Sequence, residues 1–251
     1  MTVTTEFTAK VRRPLLGPAA GAGIAAIALA VAFNVPFSIL GAIFDYPNVL
    51  RRPAGEALDL FAAGGPLLIV VWHSFMLTAL FLAVLAPALA VTPQRIAARP
   101  ALAVGAALAG SLAGLAQAIG LSRWVFAIPA LARVHSDPAS SAAARLSAEQ
   151  SFDVLNAWGG VAIGEHLGQL LTAAFVFQVA LMQGAEGKRI AGSLGLLTGG
   201  LIVVGSGEGL AIALGRSGEV FGLTTIAGFM GLTLWFVATG IGMIRAKIAT
   251  K

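Results

Sequence analysis

Six apolar stretches, each long enough to cross a bilayer, leave this chain little choice of fold. They run approximately over residues 19–44, 66–91, 101–126, 155–182, 191–214 and 221–244. A hydrocarbon core of ~30 Å takes about 20 apolar residues as a helix. In lipid the backbone must satisfy its own hydrogen bonds, and a helix does so within one segment. The expected fold is an all-α integral membrane protein, one transmembrane domain over 1–251 with about six spanning helices.

Composition agrees. Hydrophobic residues make up 58% of the chain and charged residues only 11%, where a soluble domain carries roughly 25% charged. The net charge of +5 does not point to nucleic acid, because the basic residues are scattered in twos and threes rather than gathered on one face. The absence of cysteine excludes disulfides, thiolate metal sites and cysteine nucleophiles. Any metal or haem would rest on three histidines and a few carboxylates.

Orientation follows from the basic residues. With the N-terminus inside, the cytoplasmic segments hold Lys10, Arg12, Arg13, Arg95, Arg99, Lys188, Arg189, Arg245, Lys247 and Lys251. Arg51, Arg52, Arg123, Arg133, Arg145 and Arg216 fall on the other side, with most of the acidic loop residues. That bias predicts N-in and C-in, with the Arg51-Arg52 pair a mild violation. The basic N-terminus and Ala28-Leu29-Ala30 resemble a signal peptide, but the apolar run is longer than a signal core, so an uncleaved first helix is expected. Pro36 should kink it.

Between the first two spans, Gly64-Gly65-Pro66 signals a turn, and Pro53 to Ala63 is expected as a short surface helix. Between the third and fourth, Asp137-Pro138 marks a helix start, predicting a short extracytoplasmic helix that runs on from Ala139 toward Asn156. No internal repeat is visible. GxxxG spacings at Gly110/Gly114, Gly160/Gly164, Gly164/Gly168, Gly195/Gly199 and Gly205/Gly209 mark close helix contacts. Intramolecular packing accounts for most of them; a homodimer contact through one is the alternative.

Polar side chains inside the spans are where function would show, since each ionisable one costs about 2.5–3.5 kcal/mol to insert. The second span holds His73, the third Gln117 and Arg123, the fourth Glu165, His166 and Gln169, and the fifth Glu208. At 1.5 Å per residue, four helices place polar groups roughly 10 Å below the outer surface, with Trp124 and Trp158 as interfacial anchors. Glu165 and Gln169, at i and i+4, would share a helix face. Two readings stay open. The cluster is a ligand, ion or proton site, or it consists of structural pairs, Glu165 with Arg123 and Glu208 with Arg216. His73 and His166 could also serve a haem or metal. The glycine-rich run 205–209 follows a spanning segment, so it is neither a phosphate loop nor a nucleophile elbow.

The tracts "RWVFAIPALARVHSDP" and "FDVLNAWGGVAIGEHLGQLL" resemble the DUF4386 family of bacterial membrane proteins. Arg123, Trp124, Glu165, His166 and Gly168 are the positions that match. The resemblance implies about six spans and a bacterial cytoplasmic membrane, and it implies no activity. The expected function is a multi-pass protein with a polar pocket in the outer leaflet that binds or moves a small solute, ion or proton. The alternatives are a haem- or metal-dependent redox enzyme, and an accessory or sensor subunit without a catalytic site. Whether the chain is an enzyme, and which cofactor it would use, are not legible.

Overall fold

Glycine and proline punctuate the helices. A computed structural model describes residues 18–248, with side chains over 19–245; Lys10, Arg12, Arg13, Lys251 and the side chain of Lys247 lie outside them. Helix α1 (Pro18–Phe44) carries Pro36 inside it and ends at Asp45, whose positive φ of 51° reverses the chain. A 3-10 turn, Asn48–Arg51, follows. Helix α2 (Ala54–Ala90) is kinked where Gly65 takes φ 60°, ψ −156°. A straight helix of that length would run to about 55 Å, well past a ~30 Å core. The kink divides it into the expected surface helix and a spanning part.

Helix α3 (Pro93–Ala98) is a single turn and a half, capped by Thr92 accepting from the Arg95 amide. Helix α4 (Pro100–Phe126) is followed by α5 (Ile128–Ser136) and α6 (Ala142–Leu155). Asp137 does not start α6. It accepts from the Ala139 amide in a turn, and Ser141 caps α6 by accepting from Ala144. Pro138 sits inside that turn, and the chain becomes helical only beyond it. The connection therefore holds two helices rather than one. Helix α6 runs into a π-helical segment, Asn156–Leu167, and then α7 (Gly168–Ala185). Helices α8 (Arg189–Ala213) and α9 (Glu219–Ile248) complete the chain.

Six of these helical stretches are long and apolar enough to cross a membrane, so the chain is a multi-pass membrane protein. They pack in chain order as a ring: α1 against α2, α2 against α4, α4 against α7, α7 against α8, α8 against α9, and α9 back on α1. The outer faces carry exposed Val31, Val70, Val84, Leu108, Leu197 and Leu234, a surface suited to lipid. Inside, Leu82, Leu89, Phe175, Val176, Val179, Met182 and Trp235 form an apolar core near one end. The GxxxG glycines pack within the chain: Gly110 faces Ala86 and Phe175, Gly195 faces Ala180 and Trp235, and Gly205 faces Thr225.

At the other end the 3-10 turn, the first part of α2, α5 and α6 form a cap over a second core. Its centre is aromatic. Trp72 and Trp124 stack at 4.9 Å and 9°, with Phe61 stacked on Trp124 and Phe44 edge-on to both tryptophans. Trp124 is thus fully buried and is no interfacial anchor, because the cap covers the end of α4. Trp158, 69% exposed, does stand on the surface.

Candidate functional site

The π-helical segment begins where α6 reaches the ring, and it crosses α4 through Gly120 and Gly164. A Cβ on Gly120 would lie 2.6 Å from the Gly164 Cα, so only paired glycines allow the approach. Gly160, one turn earlier, leaves room for the Arg123 guanidinium, which rests where a Cβ would stand. Runs of π-helix are rare and concentrate at functional sites. Here the run carries both Glu165 and His166.

Glu165 and Glu208 converge on one cation, Arg51. Its Nη2 donates to Glu165 Oε2 at 2.6 Å and its Nε donates to Glu208 Oε1 at 3.0 Å. The three side chains are 18–32% exposed, partly screened but open to one side. Arg51 comes from the 3-10 turn, Glu165 from the π-helical segment and Glu208 from α8, so the cluster ties three elements together. Burial works against the Arg51 charge, but Glu165 and then Glu208 more than offset it, leaving the guanidinium pKa above its ordinary value. The neighbouring Tyr46 phenol is raised by burial and then by the Glu165 charge, which keeps it neutral.

Arg123 belongs to the same network without an ion pair to Glu165. It is 7% exposed, donates from Nη1 to the Gly120 carbonyl, and donates from Nη2 to Asn156 Oδ1 at 3.1 Å. Asn156 Nδ2 in turn donates to the Leu50 carbonyl, next to Arg51. The buried Arg123 is therefore wired to the turn that presents Arg51. The pairs Glu165–Arg123 and Glu208–Arg216 are not formed among the described residues. Arg51 takes both carboxylates because the turn folds back over the ring mouth.

The other predicted positions divide. His166 Nδ1 lies 2.8 Å from the Ser206 carbonyl. A carbonyl only accepts, so Nδ1 carries a proton and donates to it. Gln117 donates to Thr172 Oγ1 at 2.8 Å, and Thr172 donates to the Gly168 carbonyl. Gln169 is buried with its Oε1 unpartnered. These three make a polar layer one to two turns below Glu165. His73 is exposed on the outer side of α2, a helix not packed against the π-helical segment, so it and His166 do not share a site. Among the described residues no three His, Asp or Glu side chains gather to hold a metal.

Arg51, Asn156 and Tyr46 complete the site without standing out as site residues in the sequence. The one signal is Arg51 itself, a cation that the expected orientation would put on the side the basic-residue bias disfavours. An unpaired cation there is an anomaly, and a cation held by two intramembrane carboxylates is not.

No curated protein and no solved structure matches this chain. A family model described as "Domain of unknown function (DUF4386)" matches residues 21–240, a range that takes in most of the first and last spanning helices, the whole of those between, and every residue of the Arg51 cluster. The chain belongs to the DUF4386 family.

Proposed function

We propose that this protein binds, and by releasing it on the other side moves, a proton or small cation at the Glu165–Glu208 pair, with Arg51 as the resident internal cation. The observation that supports this most is the convergence of two carboxylates from different helices on one guanidinium delivered by a separate turn. A site of two acids that takes a guanidinium suits another cation of similar reach. Protonation of either carboxylate would likewise loosen Arg51, since it removes one of the two negative charges that hold the guanidinium.

Below the site the polar side chains continue through Gln169, Thr172 and Gln117. Phe175, Val176 and Val179 are fully buried in the next turns of α7, where Gln178 is half-buried and bonded to the Ala174 carbonyl, and further on Gln183 is bonded to Thr239 and Trp235. This arrangement supports access from the Arg51 end and a mainly apolar stretch beyond it. With the N-in, C-in orientation, the open end faces the outside of a bacterial cytoplasmic membrane. The basic-residue bias supports that placement.

The test is charge movement in proteoliposomes on a solid-supported membrane. Steps of pH, sodium, potassium or methylguanidinium are applied to wild type, E165Q/E208Q and R51A. The expected result is a transient current in wild type for at least one cation and none in E165Q/E208Q. R51A, with its internal competitor gone, should respond at lower cation concentration. No current in wild type for any of the four, or an unchanged current in the double variant, refutes the proposal. A double variant that no longer folds favours a structural latch instead, and single E208Q then separates the two.

A further inference from the structure

The opposite end of the bundle, away from the Arg51 cluster, holds a cavity of about 680 Å³, within the roughly 300–1,000 Å³ of small-ligand sites. We infer that it is a binding site for the phosphodiester headgroup of an anionic phospholipid. Its walls carry Arg95, Lys188, Arg189 and Arg245 against one carboxylate, Glu186.

The cations are differently placed, and the difference is informative. Arg95 is 7% exposed and fully committed. Its Nε and Nη2 donate to the two oxygens of Glu186, and its Nη1 donates to the Leu89 carbonyl. Lys188 reaches Glu186 as well, at 2.8 Å, but an ammonium has two further donors. Arg189 and Arg245 have no carboxylate within ion-pair distance among the described residues. One wall of the cavity thus holds its charge in an internal salt bridge with Glu186, and Arg189 and Arg245 present cations with no carboxylate opposite them among the described residues.

Positive charge placed only to fix topology needs no cavity and no buried arginine. Beside Gln183 and Thr239, which are bonded to each other, the lining has an apolar part in Leu89, Ala238, Ile241 and Met243, along which an acyl chain can leave the pocket. A phosphodiester with an attached chain satisfies both halves. A basic pocket between spanning helices is the chemistry that takes anionic headgroups, and the placement agrees with the cytoplasmic side of the N-in orientation. The inference does not rest on the Arg51 site.

The test is native mass spectrometry of the full chain, with phosphatidylglycerol and phosphatidylcholine offered in equal amounts, alongside thermal shift with inorganic phosphate. Each basic side chain near an anionic surface is worth about a fivefold change in affinity, so R189Q/R245Q should lose roughly thirtyfold in phosphatidylglycerol binding. Wild type should retain phosphatidylglycerol over phosphatidylcholine, and 10 mM phosphate should not stabilise it. Equal retention of both lipids by wild type overturns the inference, as does undiminished phosphatidylglycerol binding by a folded R189Q/R245Q. Phosphate that protects as well as phosphatidylglycerol does, with the same loss in the variant, overturns the lipid assignment and identifies a soluble phosphoryl anion.

Discussion

Replacing Gly120 by alanine should damage the site without touching any of its charges. A Cβ there would sit 2.6 Å from the Gly164 Cα and 3.0 Å from the Gly159 carbonyl, where carbon contacts settle at about 3.5–4.0 Å. The obstacle is backbone on both sides, so no rotamer change relieves it; α4 and the π-helical segment must separate by about 1 Å. Overpacking of this kind costs about 1–3 kcal/mol, and the better helix propensity of alanine returns roughly 0.5–1 kcal/mol. The net loss of about 1–2 kcal/mol lowers Tm by about 2–8 °C on the scale of a chain this long. Gly159→Ala supplies the control. It lies in the same π-helical segment, yet nothing stands within 4 Å of its added Cβ, so its Tm should hold or rise. Tm is read in detergent by intrinsic tryptophan fluorescence. The Gly120 carbonyl also accepts from Arg123, so hydrogen exchange over 48–52 should quicken in G120A only. A G120A protein that melts with wild type would refute the helix crossing.

Truncating Trp124, fully buried in the aromatic centre of the cap, should cost about 3–5 kcal/mol and erase the near-ultraviolet dichroism of the Trp72–Trp124 stack. Gln183 accepts from Trp235 Nε1 and donates to Thr239, all buried. Gln183→Leu should therefore cost about 1–3 kcal/mol by orphaning the indole N–H, whereas Gln183→Glu should keep the indole partnered and lose the amide bond to Thr239; chemical denaturation in mixed micelles compares them. His135 in the cap is flanked by Asp59 at Nδ1 and Glu149 at Nε2. Desolvation alone would lower its pKa, but the Glu149 and Asp59 carboxylates raise it above the ordinary histidine value. Its contribution is fully present below the unfolded pKa of about 6.5 and is lost as pH rises through the higher folded value. Amide exchange over 128–155 should thus be slower at pH 6 than at pH 8.5 after correction for intrinsic rates, with the difference gone in H135Q.

What the sequence disclosed and what it withheld divide along physical lines. Spanning helices are legible because one signal, a run of about 20 apolar residues, is both necessary and rare. The cap was half legible. Gly64-Gly65-Pro66 announced the break in α2, but α5 is nine residues long and its apolar side is short enough to pass for the end of a span. The acids of the site were legible because a carboxylate in lipid is costly wherever it stands. Their partner was not. Which cation answers them depends on how the 3-10 turn folds over the ring, and Arg51 lies 114 and 157 residues from its two acceptors. Depth was less legible than face: Glu165 reaches Arg51 at the mouth, while Gln169, one turn on, is buried.

The two polar ends of the ring are separated by a stretch of α7 that buries Phe175, Val176 and Val179 completely. On the proposed reading, a proton or cation at Glu165 meets this mainly apolar stretch next, and passage along α7 would require the helices themselves to rearrange. The parts that would rearrange first are identifiable. The π-helical segment has one side anchored by the Gly120–Gly164 crossing and the other by the Arg51 bonds, and only the second anchor is electrostatic. Neutralising Glu165 removes one of the two charges that hold Arg51 and leaves the crossing intact, so the segment should pivot about Gly164 rather than detach. His166, bonded to the Ser206 carbonyl, would carry that movement to α8, which also bears Glu208. On the proposed cation-binding reading the resident arginine would serve as both competitor and latch: whatever displaces it would unlock the helices that must move.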